Sequence, residues 1–447
     1  MNRVADEVRD FYDRYPYPRP VESLDRYRQR WLDRSRRVAD YHLFWPARPY
    51  REDFSILIAG CGTSQAARHA LRRPAARVTG IDLSATSVRC TEALKATHDL
   101  RNLQVHQLPI ERARELGTAF DQIVCTGVLH HLADPDAGLA ALRDMLKPDG
   151  VLHLMVYAPY GRAGIYLLQE FCRRLGIGAT DAGVRELISI LRQLPPGHPL
   201  EQLLRDAPDF REEAALADAL LHPRDRAYSV PQLFELLETA GLRFGRWIKQ
   251  APYSPQCGTL ARQPHAPRLH ALPMVEQYAA AELFRGTMIR HSVAAYRRGS
   301  AAGDHARVDF SGAACLGFVP IRLPDTTCVR DRLPPGAAAV LINQTHTDRD
   351  LVLPIDALEL QLFEAIDGRR CLGEILDEML PDDPAQLEAG RRFFERLWRH
   401  DQIVVAAGPG RWGGNAHVMR HHADSQPDGR AAGVSHALEA DGRGLQP

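Results

Sequence analysis

The chain has 447 residues, and its charged and apolar fractions of 25% and 45% are ordinary globular values that exclude wholesale disorder and fibrous repeats. Its 56 Lys and Arg balance 56 Asp and Glu, which excludes a whole-chain electrostatic grip on nucleic acid. At about 150 residues per domain, two or three domains are expected. No run approaches the ~18 apolar residues of a membrane-spanning helix, and the charged first residues lack the apolar segment of an export signal. The eight Cys are scattered and never form Cys-x-x-Cys. Reduced thiols in a cytoplasmic protein are therefore expected, with no membrane partner, no nucleic-acid partner and no disulfide scaffold.

Residues 5–40 read as helical and include a basic stretch at Arg26, Arg28, Arg30, Arg34, Arg36 and Arg37. Arginines spread around a helix in this way read as a solvated face rather than a grip on RNA. The helix is interrupted at Tyr15-Pro16-Tyr17-Pro18-Arg19-Pro20, where three prolines forbid a continuous helical ladder. From residue 53, strands at 55–59, 77–81, 103–107, 121–125 and 150–157 alternate with helices at 64–73, 85–99 and 136–146. That alternation predicts an α/β fold with a doubly wound, mostly parallel sheet and right-handed crossovers.

Residues 158–227 read as a helical insertion. A helix at 232–240, opened by Ser229 and Pro231, and a strand at 242–248 follow it. Residues 252–273 read as loop, and 274–297 as one long helix. Past a linker at 298–303, a hairpin (337–343 with 351–353), helices at 357–366, 372–380 and 385–399, and a strand at 403–406 predict a small winged-helix-like α+β domain. The tail beyond 408 has no apolar period and reads as disordered. Its His417, His421 and His422 lack the partner spacing of a metal site, and no metal is expected elsewhere. The expected organisation is a helical lid or substrate segment at 1–50, a core at 51–250, a helical extension at 251–303, the small domain at 308–407 and the tail at 408–447.

Ile56-Leu57-Ile58-Ala59-Gly60-Cys61-Gly62-Thr63-Ser64 is a strand ending in Gly-x-Gly before a helix. Such a turn lets a ligand approach the backbone and aims the helix's free amides at polar groups. Twenty positions past Gly62, Asp82 closes the next strand, where a carboxylate can accept both hydroxyls of a ribose. Gln65 stands where a dinucleotide-binding turn has glycine, and no Gly-x-x-x-x-Gly-Lys-Ser/Thr loop occurs. Adenosyl ligands without phosphate remain.

Residues 53–157 resemble a class I S-adenosylmethionine-dependent methyltransferase. The matching pieces are the turn at 59–63, Ile81-Asp82-Leu83-Ser84, Phe120-Asp121-Gln122-Ile123-Val124, Gly127-Val128-Leu129-His130-His131-Leu132 and Leu146-Lys147-Pro148-Asp149-Gly150-Val151-Leu152. Tyr15-Pro16-Tyr17-Pro18-Arg19 is similar to a segment that precedes the core in one bacterial branch of that family. The resemblance implies a Rossmann-like methyltransferase sheet and S-adenosylmethionine as cofactor. It implies Gly60, Cys61 and Gly62 beneath the methionine part, Asp82 on the ribose and Leu83 on the adenine. Pro109 and Ile110 should border the adenine's other side, and Thr126 and Gly127 should lie near the sulfonium. Three positions depart from the family pattern: Ile58 and Pro109 replace acidic residues, and Ser64 replaces a third glycine.

The implied chemistry is in-line methyl transfer to a small-molecule or peptide acceptor, which needs alignment and exclusion of water. His130 and His131 follow the fourth strand at the open carboxyl edge and are candidate proton acceptors. Tyr12, Tyr15, Tyr17 and Arg19 are candidate lid or substrate residues, and Tyr157 and Arg162 lie at the same rim, with Arg162 suited to an anionic acceptor. Cys61 reads as packing behind the turn rather than a nucleophile. The alternative reading is a degenerate cofactor fold that acts as a binding module, with a protein partner docked on 308–407.

Overall fold

The computed structural model describes residues 3–206, 212–300, 307–380 and 384–408. The expected tail, with His417, His421 and His422, lies outside the described residues, as does the end of the 298–303 linker. Strands β1 (Ser55–Ala59), β2 (Arg77–Asp82), β3 (Leu103–Gln107), β4 (Phe120–Thr126) and β5 (Leu146–Tyr157) pair in parallel. Strands β6 (Leu242–Trp247) and β7 (Arg290–Arg297) complete a mixed seven-stranded sheet in the order β3-β2-β1-β4-β5-β7-β6. Ile56, Leu57 and Ile58 in β1 have no solvent exposure, as expected of a central parallel strand covered on both faces. Strand order reverses between β1 and β4, which opens a crevice at their carboxyl ends.

The helix expected over 274–297 is corrected. It runs only from Met274 to Arg285 and stops at Gly286, whose φ of +64° suits a glycine terminator. Residues 290–297 then form β7, which pairs antiparallel with both β5 and β6. Val293, Ala294, Ala295 and Tyr296 are buried together, and a run buried on both faces carries no period that separates strand from helix. The sheet therefore reaches residue 297 rather than ending by 250.

The helix Arg3–Arg14 does not stand alone. Phe11 and Tyr15 share an apolar core with Ile165, Leu168, Leu187 and Leu220, which belong to the helices Ala163–Arg174, Asp181–Leu191 and Glu213–Leu220 of the 158–227 insertion. Together these helices form a cap beside the crevice. The basic stretch is only partly a solvated face. Arg36 pairs with Asp325 at 3.3 Å and Arg37 with Glu52 at 3.1 Å, with side chains 14% and 16% exposed. These arginines tie the N-terminal helices to the rest of the protein.

Past the sheet, β8 (Val319–Arg322) pairs with β12 (Ile403–Ala406), and β9 (Thr326–Val329), β10 (Ala339–Asn343) and β11 (Val352–Ile355) form a second small sheet. The helices Ala357–Glu364, Leu372–Met379 and Pro384–Arg399 accompany them. This region docks through Asp401, whose carboxylate accepts the amides of Gln250 at 2.8 Å and Ala251 at 2.9 Å. Val404 and Ile321 pack on Ala39 of the helix Arg34–Phe44. Among the described residues no helix is long and apolar enough to cross a membrane. All eight cysteines are free thiols.

Candidate functional site

The Gly-x-Gly turn and Asp82 meet directly. Gly62 N–H donates to one Asp82 oxygen at 2.8 Å, and Ser84 N–H to the other at 2.9 Å. Gly60 and Gly62 have φ of +73° and +53°, the left-handed region that favours glycine. A Cβ at Gly60 would lie 2.3 Å from a Val128 methyl. Burial raises the Asp82 carboxyl, the bonds from Ser84 and Gly62 lower it, and nearby Asp13 raises it further. Cys61 is fully buried, and burial raises its thiol, which agrees with a packing role.

This turn forms the floor of a cavity of about 490 Å³, a size suited to a small-molecule site. Gly60, Cys61, Gly62, Asp82, Leu83, Pro109, Ile110, Thr126 and Gly127 all line it. Thr126 Oγ1 accepts from Gln65 Nε2 at 2.6 Å, which holds the end of β4 against the helix after the turn. From the cap come Tyr12, Ile165, Ala215 and Asp218, with Tyr17 and Arg162 from the segments beside its helices and Tyr157 from the end of β5. The segment around Tyr17 and Pro18 crosses the glycine turn, where Thr63 Oγ1 donates to the Pro18 carbonyl at 2.7 Å.

Several sequence-selected residues stand elsewhere. Tyr15 is buried in the cap core and donates to Asp181, and Arg19 pairs with Glu212 on the surface. Neither borders the cavity. Arg162 borders it but is committed, held 2.7 Å from Asp225 with its guanidinium 3.6 Å over the Tyr157 ring. Of the histidine pair, only His131 lines the cavity. His130 is 1% exposed with both nitrogens unpartnered, and burial, then His131, holds its ring well below the usual histidine range.

Two groups escaped the sequence reading, one lining the cavity and one bracing the strand end beside it. Asp218, 3% exposed, accepts from Tyr12 at 2.9 Å and from Tyr157 at 3.5 Å. Asp13 reaches from the N-terminal helix to Ser84 Oγ at 2.6 Å and Thr86 N–H at 3.0 Å, supplementing Ser84, the N-cap of the helix Ala85–Thr97. Asp218 did have a signal, as a lone acid inside the apolar run Ala214–Leu221. Asp13, on a polar helix, had none.

The sheet order and the crevice between β1 and β4 define a Rossmann-like methyltransferase fold. Residues 57–152 match the family model described as a methyltransferase domain. Residues 57–152 are thus similar to a methyltransferase domain, and the glycine turn, Asp82 and β4 described above lie within that match. Over 254 residues it is 34% identical to an uncharacterized protein of Synechococcus sp., covering 54% of this chain and 59% of that one. It is 35% identical to trans-aconitate 2-methyltransferase of Deinococcus radiodurans, over 36% of this chain and 59% of the relative. The chain thus spans about three fifths of these two relatives. Among solved structures, PKMT2 from Rickettsia typhi in complex with AdoHcy shares the fold, with 14% identity, a TM-score of 0.56 and coverage of 84% of this chain and 76% of that one.

Proposed function

We propose that the protein is an S-adenosylmethionine-dependent methyltransferase acting on a small acceptor with an apolar body. One observation carries this reading: the Gly60–Gly62 turn and the Asp82 carboxylate are hydrogen-bonded side by side on the floor of an open cavity. The bound cofactor would supply an electrophilic methyl group on its sulfonium. Asp82 would accept the ribose hydroxyls through the lone pairs its two amide bonds leave free. Leu83 and Ile110 would flank the adenine, and the glycine turn would pass beneath the methionine part. Tyr12 and Tyr17 would present aromatic surface toward a cation, and the cap would exclude water.

The three departures from the family pattern are compatible with binding. Ile58 is a fully buried core residue of β1, Ser64 stands at the start of the helix Gln65–Arg72, and Pro109 lines the cavity without filling it. Val8, Ile165, Leu203, Ala215 and Ala219 give the cap side of the cavity an apolar wall. Arg162 is committed to Asp225, so a negative charge on the acceptor would be met by Arg68 or Arg290, which also line the cavity. The acceptor-side position of the histidine pair falls to His131.

Profiling cell extract with isotopically labelled methyl donor tests this reading. A labelled product is expected with the wild-type chain, and Asp82→Asn should weaken cofactor binding about 10- to 100-fold, the worth of one or two hydrogen bonds to a charged group. No calorimetric heat with S-adenosylmethionine would sink it.

A further inference from the structure

Where the cap meets the segment after β4, side chains from both come together. Among the described residues, one group of potential metal ligands has three ligand atoms within 4.8 Å of one another: His131, Asp218 and His222. All three residues are at least nine-tenths buried, with exposures of 3%, 3% and 8%. The Nε2 atoms of His131 and His222 have no hydrogen-bond partner, and a buried polar atom left unpaired is costly unless something fills the gap. The two rings lie 3.9 Å apart between centroids.

The surroundings have the character of a ligand-orienting shell. His131 Nδ1 lies 2.6 Å from the Arg224 carbonyl, so it carries the ring proton and leaves the Nε2 lone pair bare. A metal-binding imidazole is usually held in this way, by its other nitrogen on a backbone carbonyl. Tyr12 donates to one oxygen of Asp218 at 2.9 Å, and the second accepts only a long 3.5 Å bond from Tyr157, which leaves it lone pairs for a cation. His222 is the reluctant member. Its Nδ1 accepts the Arg224 amide at 3.0 Å, and coordination through Nε2 requires it to move its proton to Nδ1 and release that amide. Burial, and then the neighbouring His131, disfavours protonation of His222, so the ring is neutral, as a ligand must be.

We propose that His131, Asp218 and His222 bind a divalent transition-metal ion, with Zn²⁺ the best match. Two imidazoles and one carboxylate suit borderline cations rather than Ca²⁺ or Mg²⁺. Tetrahedral Zn²⁺ with bonds of about 2.0–2.1 Å sets ligand atoms about 3.4 Å apart, a small contraction from the observed grouping. Three protein ligands leave a fourth position, as in catalytic rather than structural zinc sites. Because His131 and Asp218 also line the cavity, that position falls on its acceptor side. The cost at His222 makes the ion exchangeable.

Zinc binding is tested independently of methyl transfer. The full chain, stripped with a chelator, is titrated with ZnCl₂ against a chromogenic competitor. One equivalent is expected to bind, and Asp218→Asn and His222→Gln should each weaken it at least about tenfold. Zn²⁺ should raise the wild-type melting temperature but not that of His222→Gln, and Co²⁺ should give the visible spectrum of a four-coordinate site. No stoichiometric binding, or equal affinity in both variants, overturns the proposal. Should either variant fail to fold, Tyr12→Phe removes only the hydroxyl bonded to Asp218. A weaker Zn²⁺ affinity there supports the site, and an unchanged one rejects it.

Discussion

A methyl group at position 60 would fall 2.3 Å from Val128 Cγ2 on a backbone held at φ +73°. Both terms oppose any other residue there: about 1–2 kcal/mol for the left-handed conformation and about 1–3 kcal/mol for overpacking. Gly60→Ala should therefore destabilise the fold by at least about 2 kcal/mol and lower the melting temperature, while cofactor affinity falls as the turn shifts. An unchanged melt would mean that Val128 yields freely. At the same scale, the carboxylate of Asp82 holds the amides of Gly62 and Ser84, one with each oxygen. The site is preorganised by its own backbone.

Between elements, the decisive contact is Asp13, which holds the N-cap Ser84 and one first-turn amide of the helix Ala85–Thr97 from a separate helix. A lost cap costs about 1 kcal/mol, and here it also joins the helix Arg3–Arg14 to the strand end that carries Asp82. Asp13→Ala should lower stability by about 1 kcal/mol and accelerate amide exchange across residues 3–14 more than in the sheet. Cofactor affinity should fall as well, because Tyr12 and Tyr17 border the cavity from this side. Uniform exchange in the variant would separate the N-terminal segment from the site.

At the scale of the molecule, the C-terminal elements are held by a buried carboxylate. Asp401 is 2% exposed and accepts from Gln250 and Ala251, with His346 Nε2 at 3.1 Å. Asp401→Ala leaves those amides unpaired and should cost about 3 kcal/mol, read as a lower urea midpoint and faster proteolysis within residues 307–408. Acid should weaken the whole molecule through His42, which is 4% exposed and which burial holds down to about 4. The unfolded ring titrates near 6.5, so between these values the unfolded state binds the extra proton and stability falls as pH falls. A loss of about 2 kcal/mol is expected from this ring between pH 7 and pH 4.5, and His42→Gln should flatten that slope in urea titrations.

The sequence by itself determined the parallel half of the sheet, the glycine turn and Asp82. Each is written in a few neighbouring residues: an apolar run, two glycines, an acid at a strand end. It left β7 unread, because a strand buried on both faces lacks alternation, and the mark that separated it from the preceding helix was Gly286. Only the tertiary structure decided what faces the cavity. It withdrew Tyr15, Arg19 and His130 from the lining, committed Arg162 to Asp225, and set Asp218 beside Tyr12, 206 positions away in the chain. Such pairings depend on how helices of the cap pack against one another, and local sequence does not encode which buried side chains their shared core will bring together.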